Sequence, residues 1–276
     1  MLKYSKYQGL GNDFIICLDS DIKNKDYSLI AKKVCDNNIT GKTDGFISVK
    51  TNPLEMIFYN QDGSLGTMCG NGLRCFISFC YDNGLIDSLE NQVLTKAGLY
   101  KTIITNTTNF TVKANMNKPN YSAKFLEINT SKDEFIDEVI IFKDKEYKLT
   151  SVFVGTHHTV IYVKNKDEIT EELGHFMCHL PIFKDRTNVD FVIVKDDKTL
   201  SLKTYERGVG FTDACGTGAC ASFCVSRKKN LCQGKVRVYF DKGYLDISCD
   251  NDENIYMEGP AELIVKGIFD EEIIAN

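Results

Sequence analysis

The chain of 276 residues has no tryptophan and only four prolines and four histidines. The first two shortages decide little, but other absences exclude whole classes of protein. No apolar run approaches the roughly 20 residues of a membrane span. Met1 to Phe14 lacks the apolar core and small-residue cleavage site of a secretory signal. Eleven cysteines in such a chain read as reduced thiols of a cytoplasmic protein, not as a disulfide framework. No two of them form a Cys-x-x-Cys pair, a spacing that structural zinc favours, so no metal is expected. His175 and His179 have i, i+4 spacing, but no acidic third ligand follows in a suitable pattern, and they read as a surface face. Basic residues are not in excess. With 33 Lys and Arg against 38 Asp and Glu, the net charge is −5, which argues against nucleic acid or an anionic membrane as partner. No lysine sits in a pyridoxal-phosphate context, so no cofactor is expected. The hydrophobic fraction of 43% and charged fraction of 26% are ordinary globular values, and the length suits one large or two medium domains.

What the chain does contain is a phrase said twice. Cys69-Gly70-Asn71-Gly72 returns as Cys215-Gly216-Thr217-Gly218, an offset of 146 residues (215 − 69). The same offset sets Tyr59-Asn60 on Tyr205-Glu206 and Gly9 on Gly155, which places Asn12 opposite His158. Phe46 and Phe191, and Gly98 and Gly243, correspond at 145 (191 − 46 and 243 − 98). An internal duplication of this kind predicts two similar lobes related by a pseudo-two-fold axis, with a thiol from each lobe facing one cleft.

The local pattern agrees. Strands are expected over Leu2–Tyr7, Phe14–Leu18, Gly45–Val49, Leu54–Tyr59, Val93–Leu99, Thr102–Ile104 and Phe110–Met116, with helices over Ser28–Asp36 and Asn71–Tyr81. A polar stretch, Asn117–Ala123, marks the boundary. The second half repeats the order, with strands near Lys148–Val154, Val160–Val163, Val189–Val194, Leu200–Tyr205, Val236–Phe240, Tyr244–Ser248 and Ile255–Met257. Its helices are expected near Glu168–Cys178 and Ala219–Lys228. A last strand, Ile264–Ile268, is expected to return to the first lobe. The lobes are therefore 1–117 with 264–276, carrying Cys69, and 118–263, carrying Cys215.

A Cys-Gly-x-Gly loop opening a helix has a chemical meaning. Glycines admit close backbone approach, and the helix N-terminus offers N–H groups and a dipole that favour an anion. The same field favours a thiolate. Two such loops suit a carboxylate clamped between two helix starts, with a thiol on each side of the adjacent carbon. One thiolate removes a proton and the other thiol returns one to the opposite face. A single loop of this form is more often a tight turn with a buried thiol; two in register favour paired acid–base work. His158 and Glu206, at in-register positions, are candidate bases for the two thiols. Cys17, Cys35, Cys75, Cys80, Cys178, Cys220, Cys224, Cys232 and Cys249 read as structural.

Taken together, Gly9-Leu10-Gly11-Asn12-Asp13-Phe14, Asn60-Gln61-Asp62-Gly63-Ser64, Met68-Cys69-Gly70-Asn71-Gly72-Leu73-Arg74-Cys75, Asn188-Val189-Asp190-Phe191, Tyr205-Glu206-Arg207-Gly208, Ala214-Cys215-Gly216-Thr217-Gly218-Ala219-Cys220 and Tyr256-Met257-Glu258-Gly259-Pro260-Ala261 resemble the diaminopimelate epimerase family, in that family's order and over nearly the whole chain. The resemblance implies an α/β fold of two lobes, each a curled, mainly antiparallel sheet around a central helix. It implies cofactor-independent interconversion of LL- and meso-diaminopimelate, serving lysine and peptidoglycan synthesis, and a homodimer. Carried over by position, Cys69 and Cys215 are the acid–base pair, assisted by His158 and Glu206. Asn12, Asn60, Thr156, Asn188 and Arg207 would contact substrate, and the amides of Gly70, Asn71, Gly216 and Thr217 would hold the reacting carboxylate.

Four positions depart from the family pattern. Thr156 and His157 stand where Asn and Pro are usual, Gly45 where some members place a substrate-contacting Gln, and Phe211 where Glu is usual. Three alternatives follow: action on an isostere such as lanthionine, a proline-racemase-like activity without a second head group, and a non-catalytic thiol switch. Asn60, Asn188 and Arg207 together favour a distal amino-acid head.

Overall fold

The computed structural model describes residues 1–22 and 26–270. Contacts divide the chain into two compact units, Met1–Asn115 with the chain from Glu258 onward, and Met116–Met257. In chain order the first unit holds β1 (Leu2–Gly9), β2 (Asn12–Leu18), α1 (Asp19–Ile22), α2 (Tyr27–Cys35), β3 (Asp36–Asn37), β4 (Gly41–Lys42), β5 (Gly45–Thr51), β6 (Leu54–Asn60), α3 (Gly70–Asp82), β7 (Glu90–Thr95), β8 (Gly98–Asn106) and β9 (Thr111–Asn115). The second holds β10 (Glu138–Phe142), β11 (Lys145–Val154), β12 (Thr156–Tyr162), α4 (Glu171–Cys178), β13 (Asn188–Asp196), β14 (Thr199–Glu206), β15 (Gly210–Phe211), α5 (Gly216–Lys228), β16 (Val236–Phe240) and β17 (Gly243–Cys249). β18 (Ile255–Pro260) and β19 (Glu262–Phe269) carry the chain back to the first unit.

The dividing lines fall at 115/116 and 257/258 rather than at 117/118 and 263/264. The reason is hydrogen bonding. Met116 donates its N–H to the Ile255 carbonyl, and Ile255 donates to Asn117, which draws residues 116 and 117 into the second unit. Pro260 accepts from Arg74 Nε at 3.0 Å, Ala261 donates to Phe110, and Leu263 pairs with Tyr7, which draws residues 258–263 into the first.

Within each unit the strands pair in one succession. In the first, β1 lies antiparallel to β19 and β2; β2 is parallel to β5, β5 antiparallel to β6, β6 parallel to β7, and β7, β8 and β9 form a meander. In the second, β11 lies antiparallel to β10 and β12; β12 is parallel to β13, β13 antiparallel to β14, β14 parallel to β16, and β16 antiparallel to β17. Each sheet packs many strands against one helix. α3 meets β1, β2, β5, β6 and β9, while α5 meets β11, β12, β13, β14, β16 and β17. A sheet that touches one helix from so many strands must curl around it.

These central helices are not helical by propensity. α5 reads GTGACASFCVSRK, and glycine, serine, threonine and cysteine are poor helix formers. Burial holds them: Gly70 to Cys80 are all buried, as are Gly216 and every residue from Gly218 to Ser226. A helix enclosed on all sides derives its stability from tertiary packing.

Three local expectations differ from the structure. Val93–Leu99 is not one strand, because the chain turns at Lys96-Ala97, where Thr95 Oγ1 accepts the Ala97 N–H and donates to the Gly98 carbonyl. α4 begins at Glu171, where the Thr170 hydroxyl caps it by accepting from Leu173 at 3.2 Å. β10 has an unalternating apolar sequence, EVIIF, that gives no period-two signal; its Ile140 and Phe142 pack on the second core while Val139 and Ile141 face outward.

Phe223 is fully buried in α5. Phe223→Ala removes a core aromatic at a cost of about 3–5 kcal/mol, equivalent to a fall of at least roughly 6 °C in Tm for a domain of this size. Thermal melting followed by circular dichroism checks this; an unchanged Tm would remove α5 from the packed centre of its unit.

Candidate active site

Each central helix is capped by a cysteine. Cys69 and Cys215 both sit in extended backbone immediately before α3 and α5. Cys69 Sγ accepts the Gly72 N–H, and Cys215 Sγ accepts the Gly218 N–H, each at 3.4 Å. The helical pattern begins one residue later, with Leu73 donating to Cys69 and Ala219 to Cys215. The amides of Gly70, Asn71, Gly216 and Thr217 have no acceptor within their helices, as at any helix start. The geometry joins a thiol to a helix terminus, where N–H groups and dipole favour an anion, twice. The need for glycine is clearest at Gly218, where a Cβ would come within 2.5 Å of Asp190 Oδ1 and 2.8 Å of Thr204 Oγ1.

In the first unit Asn12 opens β2, and its Oδ1 accepts from Asn71 Nδ2 at 2.6 Å, which ties the Gly9–Asn12 turn to the first turn of α3. Asn60 ends β6. Its Nδ2 donates to Ser64 Oγ at 2.9 Å, and its carbonyl accepts from Gly63, so the Asp62-Gly63 turn holds its amide. Ser64 also donates to Asp62 from backbone and hydroxyl and lowers that carboxyl below its ordinary range.

In the second unit the structure gathers more than the sequence suggested. His158, on β12, is fully buried, with Nδ1 at 2.7 Å from Asp190 Oδ2 and Nε2 at 2.9 Å from Thr217 Oγ1. Thr217 Oγ1 lies 3.4 Å from Cys215 Sγ. The other carboxylate oxygen of Asp190 accepts from Thr204 Oγ1 at 2.8 Å, so both oxygens of this buried group are satisfied. Glu206, at the end of β14, accepts from Thr212 Oγ1 at 2.6 Å and exerts its charge on Cys215. His158 and Glu206 thus both belong to the surroundings of Cys215.

Burial pushes the Cys215 thiol well above its ordinary range, and the charges of Glu206 and Asp190 push the same way. The hydrogen bonds from Thr217 and Gly218 pull down, but less. The expectation that a helix N-terminus lowers this thiol's pKa is therefore corrected: desolvation and two carboxylates outweigh it, and Cys215 rests protonated.

Asn188 begins β13 beside His158 in the parallel register, and its Oδ1 accepts the Arg207 N–H at 2.9 Å. The exposed Arg207 side chain donates Nη1 to the Asp185 carbonyl at 2.9 Å. His157 sits edge-on to Phe153, and burial followed by the Arg207 charge holds its imidazole below the ordinary value. Thr156, at the first position of β12, pairs with Val154.

Two other departures have packing reasons. Gly45 has no room for a side chain, since a Cβ would lie 2.4 Å from the Phe58 ring and 2.7 Å from the Tyr59 carbonyl. Phe211 packs against Tyr205 and Phe191 at the edge of the second core. His175 and His179 stack on each other at 4.0 Å, and His179 Nδ1 donates to the His175 carbonyl. Among the described residues, no group of three or more His, Cys, Asp and Glu is arranged to hold a metal ion.

Asp190 and Thr204 were not expected in the site. The signal was present: Asn188 and Asp190 lie two apart in the strand's buried first half, among Val189, Phe191, Val192 and Ile193, so both face one side. A carboxylate inside an apolar strand requires a buried partner.

A family model for diaminopimelate epimerase matches residues 4–122 and 150–264. A diaminopimelate epimerase of Caldanaerobacter subterraneus subsp. tengcongensis is 36% identical over 272 residues, covering 96% of this chain and 98% of that protein. That of Acetivibrio thermocellus is 34% identical, covering 98% and 99%. Solved structures of the same fold include a Bacillus anthracis phenazine biosynthesis protein of the PhzF family, with a TM-score of 0.71 at 14% identity, covering 96% of this chain and 98% of that one. Another is a hydroxyproline epimerase from Agrobacterium vitis, with a TM-score of 0.68 at 12% identity, covering 96% and 91%. The fold is mixed α/β and dominated by sheet, and with a family model matched over most of its length and relatives this similar, the chain belongs to the diaminopimelate epimerase family.

Proposed function

We propose that this isomerase interconverts LL- and meso-2,6-diaminopimelate by moving the α-proton between two thiols without a cofactor, in the cytoplasm, as a step toward lysine and peptidoglycan. The observation that carries the reading is the paired capping arrangement, in which Cys69 and Cys215 each hold the N–H three residues on at a glycine-opened helix start. The amides of Gly70, Asn71, Gly216 and Thr217 take up the negative charge that grows on the reacting carboxylate as the proton leaves, which is electrostatic stabilisation of the transition state. Cys215, protonated at rest, is the donor thiol, and Cys69 is the base. Arg207, Asn188, Asn60 and Thr156 recognise the distal head, and Asn12 steadies the Asn71 end of the first loop.

Two-thiol transfer predicts that Cys69→Ala and Cys215→Ala each lose about 10²–10⁴-fold in epimerisation. The assay is incubation with LL-diaminopimelate in deuterated water, with chiral analysis of product and label. Near-normal inversion by either variant would overturn the reading. Turnover of lysine at a rate comparable to diaminopimelate would overturn the distal recognition alone.

A negative charge beside a thiol raises its pKa, so removing one lowers it. Glu206→Gln is therefore expected to increase the thiolate fraction of Cys215 at pH 8 and speed its labelling by iodoacetamide, read by mass spectrometry. An unchanged rate would show that the Glu206 charge does not control this thiol.

The assembly is read as a homodimer. β19 leaves Leu263, Ile264, Val265 and Ile268 exposed by 43%, 49%, 43% and 53%, an apolar strip suited to a second copy. Light scattering is expected to give twice the chain mass and to fall to the chain mass for Val265→Glu with Ile268→Glu; a monomeric parent protein would overturn it.

A further inference from the structure

We propose that the second unit carries, on the face of its sheet turned away from α5, a binding site for a small single-ring aromatic monocarboxylate. The site lies in a cavity between β13, β14 and the segment that leads into α4. It goes beyond the epimerase reading and does not depend on it.

The cavity follows from the alternation of β13. Asp190 points toward α5, where a Cβ on Gly218 would strike its carboxylate, so Phe191 and Ile193 point to the opposite face. On that face Phe191 stands across from Lys203, and Ile193 across from Ser201. α4 covers the end at Tyr205 and Phe211. Its Gly174 lies so close that a Cβ would come within 2.5 Å of the first ring and 3.2 Å of the second. Beyond this cover a cavity of about 200 Å³ remains. Phe191 and Ile193 form its floor, and the half-buried Ile169 and Phe211 form its walls. The Glu that the family pattern has in place of Phe211 would set a carboxylate against a bound anion; the phenyl ring gives an apolar wall instead.

The solvent side of the cavity is charged. Lys166 and Lys203 line it and meet on Asp241, donating to its two oxygens at 2.7 and 3.2 Å. These bonds, that of Lys166 first, hold the Asp241 carboxyl below its ordinary range, so it stays ionised. Two ammonium groups thus share one carboxylate, which leaves one positive charge in excess beside an apolar floor. An ammonium has three donors, and Asp241 takes one from each. The remaining donors suit a second carboxylate. Size then sets the apolar part of the ligand. An apolar cavity of about 150 Å³ accommodates benzene, so about 200 Å³ holds one ring and a short linker. Phe191 and Phe211, with ring centroids 6.1 Å apart and planes inclined at 50°, offer face and edge contacts to a third ring. Diaminopimelate, charged at both ends and without a ring, does not match this floor.

The test titrates 3-phenylpropionate, and its uncharged counterpart 3-phenylpropanamide, into the whole chain carrying carbon-13 in its isoleucine methyl groups. The acid is expected to shift the Ile169 and Ile193 methyl signals saturably, with a Kd on the order of 1 mM. Saturating diaminopimelate is expected to leave those shifts in place. The amide is expected to bind about tenfold more weakly. The Lys166→Met/Lys203→Met double variant keeps the apolar stems and is expected to weaken the acid by a similar factor. Ser201→Phe puts a ring into the cavity from β14 and is expected to abolish the ligand-induced shifts. Four results would each overturn the site: equal binding of acid and amide, parent-strength binding by the lysine variant, shifts that diaminopimelate removes, or a linear response without saturation, which is adventitious contact only. If circular dichroism shows that Ser201→Phe does not fold, the amide and the lysine variant decide. None of these measurements uses catalysis, so a chain inactive on diaminopimelate would overturn the proposed function and leave the cavity to be judged by its own titrations.

Discussion

Everything in this fold answers to the enclosure of two helices. α3 and α5 are surrounded by the strands of their own units, and their backbone groups are satisfied internally except at the ends. A buried helix start is costly unless something accepts its N–H groups. The chain meets that need with sulfur: Cys69 and Cys215 each occupy the cap position where serine or aspartate is usual. A thiol is a weak acceptor, so the cap is incomplete by design of its chemistry, and the remaining amides stay available for an anion. Helix capping and anion binding draw on the same N–H groups, and a weak cap leaves more of them for the second.

The same enclosure explains why Cys215 rests as a thiol. A charge at a helix terminus is worth about 0.3–1 kcal/mol when exposed, which is less than one pKa unit at about 1.4 kcal/mol per unit. Burial moves an ionisable group by as much as 3–5 units. With Glu206 and Asp190 adding their charges on the side of burial, the outcome is not close. The helix dipole does not create a thiolate here.

Much of this was legible in the sequence because a repeated phrase is independent of propensity. The echo of Cys69 in Cys215 pointed to both central helices, although their residues are poor helix formers and the expected starts, Asn71 and Ala219, fall one and three residues inside α3 and α5. Asn12 and His158 do sit at corresponding places, near the starts of β2 and β12, and Asn60 and Glu206 do end β6 and β14. The return of the chain at Glu258, ahead of the expected 264, was not legible, since it depends on Arg74 reaching the Pro260 carbonyl from 186 residues away. Nor was the pairing of Asp190 with His158, although a carboxylate in that apolar run signals a need for some buried partner. Asp190 belongs to a family motif, but its role is set by the parallel register of β12 on β13, which places Asn188 beside His158 and Asp190 two residues further along the same face. A non-local pairing has no local signal.

The departures from the family pattern divide by the same logic. Gly45 and Phe211 belong to packing: one lies against the Phe58 ring where no Cβ fits, and the other extends the aromatic cluster of Tyr205 and Phe191. Neither change adds a polar group that would have to be matched by a ligand. Thr156 and His157 are different, because they lie on the strand that carries His158 and beside the charge of Arg207. A half-buried imidazole and a short hydroxyl in place of a rigid Pro and a longer Asn give up loop stiffness and reach. Arg207 has its backbone held by Asn188 and one arm by Asp185. The buried contacts around Cys215, by contrast, involve none of these four positions.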